Sequence, residues 1–111
     1  MTLNDYQVFV KQAVPEGRSH DLSFQGLGIA GEAGEVANEI KKSYYSDHPL
    51  DKLKVREELG DTLFHIAQIA TMLGLDLNDI AYNNLSKVES RFRGQVANAR
   101  RTSTGFDLRC P

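Results

Sequence analysis

Four carboxylates stand out by their spacing. Glu32 and Glu35 are three residues apart, and so are Glu58 and Asp61. On a helix this spacing makes side chains neighbours, with Cβ atoms about 5–6 Å apart. Each pair is then an acidic edge. The 22 residues between Glu35 and Glu58 are enough to finish one helix, turn and return antiparallel. The two edges can then face each other and offer four oxygen ligands to a hard cation. Acidic pairs on helices are commonly solvated, and either pair alone would be read that way. The surroundings argue otherwise. Glu32 and Glu35 are flanked by Gly31, Ala33, Gly34, Val36 and Ala37, and the twelve residues after Asp61 contain no Asp, Glu, Lys or Arg. A partly buried carboxylate needs a cation or hydrogen bonds. All-oxygen ligation suits Mg2+ or Mn2+, and the lack of a Cys/His cluster disfavours zinc.

His65 follows Asp61 by four residues and Glu58 by seven, so it shares their face. It is either a satisfied rim group or a contact to a ligand bound beside a metal. Asn84, Lys87 and Arg91 are spaced i, i+3, i+7, a polar stripe with two cations at its far end. It is either a solvated helix face or an anion clamp, in which arginine offers a bidentate fork and lysine a point charge. Carboxylates holding a metal, together with a cationic stripe, are what a phosphoanhydride substrate requires. Two divalent ions about 3.5–4 Å apart can activate a water and stabilise an in-line displacement. In such a site Lys87 and Arg91 would hold the phosphate oxygens that the metal does not neutralise.

The elements that must position these groups are helices. No run of alternating β-branched residues suggests a sheet, and Pro15, Pro49 and Pro111 lie at breaks or at the terminus. A first helix is expected over about 3–13, with Thr2 as cap, followed by a turn at Pro15–Gly17. A second should run from Leu22 to Tyr44, capped by Ser19 or Asp21, with Leu22, Leu27, Ile29, Ala30, Ala33, Val36, Ala37 and Ile40 as its apolar residues. Gly26, Gly28, Gly31 and Gly34 fall inside it. Each costs about 1 kcal/mol relative to alanine, which points to close backbone packing, to a site, or to a helix that starts nearer Ile29. Residues 45–51 form a loop. A third helix continues to about Leu73, with Val55, Leu59, Leu63, Ile66, Ile69, Ala70 and Leu73 available for the core, and Gly74 ends it. A fourth, with Asp76 as a good N-cap, runs to about Phe92 and is stopped by Gly94. The expected fold is an all-α, four-helix bundle-like domain over 1–94, with a poorly structured tail over 95–111.

Composition agrees and excludes several classes. The 111 residues fit one domain, and 41 % apolar with 25 % charged residues is near the globular average. Thirteen basic residues against fifteen acidic ones do not describe a general nucleic-acid binder. No apolar run approaches the roughly 18 residues of a membrane span. Cys110 is the lone cysteine, so a reducing cytoplasm is the expected compartment. The charge is uneven: residues 1–90 carry 8 basic and 14 acidic side chains, while residues 91–111 carry five arginines against Asp107. That basic tail is either solvated or set against an anion.

The motifs GEAGEVANEIKK at 31–42, REELGDTLFHIA at 56–67 and LGLDLNDIAYNNLSKVESRF at 73–92 resemble the MazG-type all-α nucleoside triphosphate pyrophosphohydrolases. Glu32, Glu35, Glu58 and Asp61 meet that family's E-x-x-E, spacer, E-x-x-D pattern, and Asn84, Lys87 and Arg91 meet its N-x-x-K-x-x-x-R pattern. The resemblance implies Mg2+-dependent hydrolysis of a nucleoside triphosphate to a monophosphate and diphosphate, with the four carboxylates as metal ligands. It also implies attack on the α-phosphorus, with Lys87 and Arg91 on the leaving phosphates, and a homodimer or homotetramer. Many relatives carry a further glutamate before the first motif glutamate, and Gly31 stands there in this chain. Two other functions share the pattern: a phosphoribosyl-ATP pyrophosphohydrolase, and a non-catalytic helical dimer that binds metal or nucleotide.

Overall fold

The computed structural model describes residues 1–14 and 21–102. Among them are four helices and no strand: α1 (Leu3–Ala13), α2 (Leu22–Tyr45), α3 (Lys52–Met72) and α4 (Leu77–Thr102). The all-α class expected from the sequence is the class observed. Helices α1 to α3 belong to one compact unit, Met1–Leu77, and the chain from Asn78 onward forms a second. No described helix is long and apolar enough to cross a membrane.

Local chemistry sets the helix ends. Thr2 Oγ1 accepts from the Asp5 N–H at 3.0 Å, and the Thr2 N–H donates to Asp5 Oδ2 at 2.9 Å, a reciprocal capping box. Asp21 Oδ1 accepts from the Phe24 N–H at 2.8 Å, and Asp51 Oδ1 accepts from the Lys54 N–H at 3.1 Å. The cap of α2 is therefore Asp21. Ser19 and the turn expected at Pro15–Gly17 lie outside the described residues. Helix α3 closes in a Schellman motif: the Leu75 N–H reaches the Ala70 carbonyl at 2.8 Å and the Gly74 N–H reaches the Thr71 carbonyl at 3.2 Å. Gly74 sits at φ 69°, a conformation that a Cβ strongly disfavours.

Gly94 does not end α4, which continues to Thr102. A lone helical glycine costs about 1 kcal/mol. The residues that follow it include Gln95, Ala97, Ala99, Arg100 and Arg101, all strong helix formers, and no proline follows at once to break the ladder. The tail expected from residue 95 is thus helical through 102. Residues 103–111 lie outside the described residues.

Helix α3 is the centre of the first unit, with α1 and α2 both packed on it. Val10 of α1 meets Ala67 and Ala70 of α3, with Leu77 beside them, and Tyr6, Phe64 and Ile66 pack around this cluster. The two alanines let α1 approach closely. Gln7 ties α1 to the end of α3: its Nε2 donates to Thr71 Oγ1 at 3.1 Å and to the Leu75 carbonyl at 2.8 Å, and its Oε1 accepts from the Leu77 N–H at 2.9 Å. Much of the apolar set expected in the core is instead exposed, including Leu22, Leu27, Ala30, Ala33, Ala37 and Ile40 of α2, and Leu59 and Leu63 with Leu73 at the end of α3. A single helix–helix seam covers one stripe of α2, and its other sides meet no neighbour within the unit.

These contrasts separate the glycines. Gly74→Ala should destabilise the chain by about 1–2 kcal/mol, because alanine must enter the left-handed region. Gly26→Ala places a Cβ with nothing within 4 Å and should stabilise it by up to about 1 kcal/mol. Urea unfolding midpoints of the two variants should move in opposite directions.

Candidate metal centre and active site

Helices α2 and α3 run antiparallel, and their facing stripes carry the chemistry. On α2 the stripe is Gln25, Gly28 and Glu32; on α3 it is Glu58, Asp61 and His65. Both follow i, i+3, i+7 spacing, which keeps side chains on one face. Oxygens of Glu32, Glu58 and Asp61 all lie within 4.8 Å of one another. Glu58 is buried, Glu32 half-buried and Asp61 exposed. The sequence favoured a partly buried Asp61 because apolar residues follow it. Those residues follow it in the chain but turn to another side of α3: Phe64, Ala67 and Ala70 meet α1.

Glu35 stands apart. It is exposed and is not a member of the three-carboxylate group. The expected set of four is thus gathered as three, since a long unpaired carboxylate gains by staying in water. The small residues around Glu32 and Glu35 give no burial of their own: Gly31, Ala33, Gly34 and Ala37 are exposed.

Like charges at this distance perturb one another. Burial, a proton shared with Glu58, and the charges of Asp61 and Glu58 hold the Glu32 carboxyl above its ordinary 4.5, against a smaller lowering by His65. Lys54 supplies the opposing charge. Its Nζ lies 3.4 Å from Glu58 Oε1, and hydrogen bonding to Glu58 raises its pKa. From α1, Tyr6 also feels the group: burial and the Asp61 charge push its phenol up.

His65 lies where α2 has no side chain. A Cβ on Gly28 would fall 2.6 Å from His65 Cε1 and 2.9 Å from Nδ1. Of the four glycines in α2, this one answers a close approach. Gly26, Gly31 and Gly34 would meet nothing within 4 Å. His65 Nδ1 is 2.9 Å from Oε1 of the buried Gln25. Sequence reasoning missed Gln25, Lys54 and Tyr6. The i, i+3, i+7 stripe of α2, mirroring that of α3, was the available signal for Gln25, and the i, i+4 spacing to Glu58 was the signal for Lys54. Nothing in the sequence tied Tyr6 to Asp61. Asn84, Lys87 and Arg91 are exposed on α4 and share one side of that helix.

Three hard oxygens from two helices, with one lysine drawn in as counter-ion, form a donor set that fits a divalent cation. A model of the MazG nucleotide pyrophosphohydrolase domain matches residues 24–94. The chain belongs to the MazG family. It is 36 % identical over 74 residues to the gene 37 protein of Mycobacterium phage L5, a stretch covering 63 % of this chain and 65 % of that protein. The chain thus spans less than two thirds of that relative's length. No solved structure matches it.

The raised Glu32 fixes a sign. The folded state holds this proton more tightly than the unfolded chain, so metal-free protein should lose stability as pH rises from about 4.5 through the raised value. Below 4.5 that loss is absent. Glu32→Gln should flatten this decline in chelator, as read from urea midpoints across pH. A divalent cation should raise the melting temperature of the wild type at neutral pH and do so far less in Glu32→Gln. An unchanged pH profile in the variant would contradict the assignment.

Proposed function

We propose that this MazG-family chain is a nucleoside triphosphate pyrophosphohydrolase. It converts a ribo- or deoxyribonucleoside triphosphate and water to the monophosphate and diphosphate, in cytoplasmic nucleotide-pool house-cleaning or regulation. The observation that carries the reading is the convergence of Glu32, Glu58 and Asp61 in a chain of this family. These carboxylates would hold Mg2+, with Mn2+ as an alternative. Glu35, three residues after Glu32 on the same helix, is proposed as a fourth ligand. When bound, the metal supplies charge neutralisation at phosphate oxygens and a more acidic water.

The chain's own residues do the rest. The acidic group fixes where the triphosphate is anchored and excludes unneutralised phosphate. Lys87 and Arg91 carry the positive charge suited to the β- and γ-phosphates as the bond to the α-phosphorus breaks. Asn84 orients a phosphate or sugar oxygen, and His65 contacts the nucleotide beside the carboxylates. Gly31 cannot serve as a base.

The chain is further proposed to act as a homodimer or homotetramer. The segment from Phe64 to Ala70 is largely covered within the chain. Leu27, Leu53, Leu59 and Leu63 on α2 and α3 remain exposed, with Leu27 at 75 %, and a second copy is the occupant that the family relationship favours.

The test is diphosphate release by the full chain against a panel of nucleoside triphosphates with Mg2+ or Mn2+. Turnover should need the metal and should be abolished by Glu58→Gln or Asp61→Asn in folded, helical protein. Lys87→Ala and Arg91→Ala should each lower kcat/KM by about 10- to 100-fold, the value of a charge-assisted hydrogen bond of roughly 1.5–3 kcal/mol. Wild-type rates in the carboxylate variants would overturn the reading.

A further inference from the structure

At the end of the α2–α3 seam beyond the carboxylates, His65 is paired with a buried glutamine to which the proposed chemistry gives no part. Gln25 is 5 % exposed, although a buried glutamine is uncommon unless its amide is satisfied. Its Oε1 lies 2.9 Å from His65 Nδ1. An amide oxygen only accepts, so Nδ1 must carry the proton in the neutral ring, and Nε2 is left with a lone pair. Gly28 independently leaves the space that the ring fills, since a Cβ there would strike it. Among the described residues Nε2 has no hydrogen-bond partner, and it is not a buried orphan. The ring stands one helical turn beyond Asp61 on the same face of α3.

We propose that Gln25 is a positioning residue that locks His65 as its Nδ1–H tautomer, so that Nε2 is an acceptor beside the carboxylate group for an O–H or N–H donor of the bound nucleotide. This rests on the reading of the site as a nucleotide-hydrolysing centre. Gln25 itself touches no substrate. It selects, through His65, for a ligand that presents a donor at this point, whereas the phosphates present only acceptors. The pair therefore contacts the sugar or base end of the nucleotide.

The tautomer is read directly by long-range 15N–1H correlation of the imidazole nitrogens in metal-free protein at about pH 8.5, above the ordinary histidine pKa of about 6.5. The chain has three histidines, so assignment is tractable. Wild-type His65 should show a protonated Nδ1 and a lone-pair Nε2. Gln25→Met, similar in volume but with no acceptor oxygen, should lose that pattern, and Gln25→Glu should keep it. Gly28→Ala, which pushes the ring away, offers a second route to the same loss if Gln25→Met folds poorly. With a nucleoside triphosphate that the wild type turns over, Gln25→Met should raise KM by about 2- to 10-fold with kcat little changed, the worth of one neutral hydrogen bond, and Gln25→Glu should restore it. An Nε2–H wild-type ring, a tautomer unmoved in Gln25→Met and Gly28→Ala, or a lost tautomer with unchanged KM would each overturn the proposal. If the wild type hydrolyses no nucleotide, the functional reading fails, and with it the role of Nε2 in substrate contact; the spectra then still decide whether Gln25 locks the ring.

Discussion

Three carboxylates held within 4.8 Å of one another are the constraint around which the first unit is built. Two unit charges at 4 Å repel by about 1 kcal/mol in water and by about four times that at the effective dielectric of a protein surface. The α2–α3 seam that creates this group is therefore opposed by its own chemistry. Lys54 beside Glu58 and the tightly held proton of Glu32 relieve part of the repulsion. The remainder must be offset by interactions elsewhere: the side-chain caps, the Schellman closure at Gly74, and the small cluster of Val10, Ala67, Ala70 and Leu77. A site that strains the fold, supported by well-made helix ends, is the usual division between function and stability.

Helix α3 reconciles these demands by having two characters on two faces. Toward α1 it presents Phe64, Ala67 and Ala70, small or flat groups that permit close packing. Toward α2 it presents Glu58, Asp61 and His65, a polar ladder. The charge-free run after Asp61 belongs to the first face, and the site belongs to the second. The seam is also graded along its length. At one end Lys54 brings charge beside Glu58; in the middle sit the carboxylates; at the other end His65, Gln25 and the bare backbone of Gly28 form a tightly fitted contact. One antiparallel pair thus places three carboxylates next to an imidazole that lies against Gly28 and 2.9 Å from the Gln25 amide oxygen.

The exposed apolar residues of α2 and α3 carry the same lesson about size. Two helix–helix seams cannot cover three amphipathic helices. Tyr44 and Tyr45, 81 % and 82 % exposed at the end of α2, show how far the apolar surface extends beyond what this unit covers.

The sequence by itself determined the helices and the acidic edges. Three-residue spacing, Thr2 as a cap, Ser19 or Asp21 as the next, and Gly74 as a stop are local signals, and local backbone chemistry does not depend on what packs against it; the Asp51 cap of α3 was read only from the structure. It misjudged Gly94, because a glycine signals a stop only when the chain enters the left-handed region, and the residues after it favour helix. Only the tertiary structure decided which carboxylates meet. Glu35 has the right spacing, yet it points to water; Glu58, not Asp61, is the buried member. Gln25, Lys54 and Tyr6 became part of the site only when α1, α2 and α3 were brought together. Their roles depend on distances across seams, and periodicity along one helix says which face a residue occupies but not which partner that face will meet.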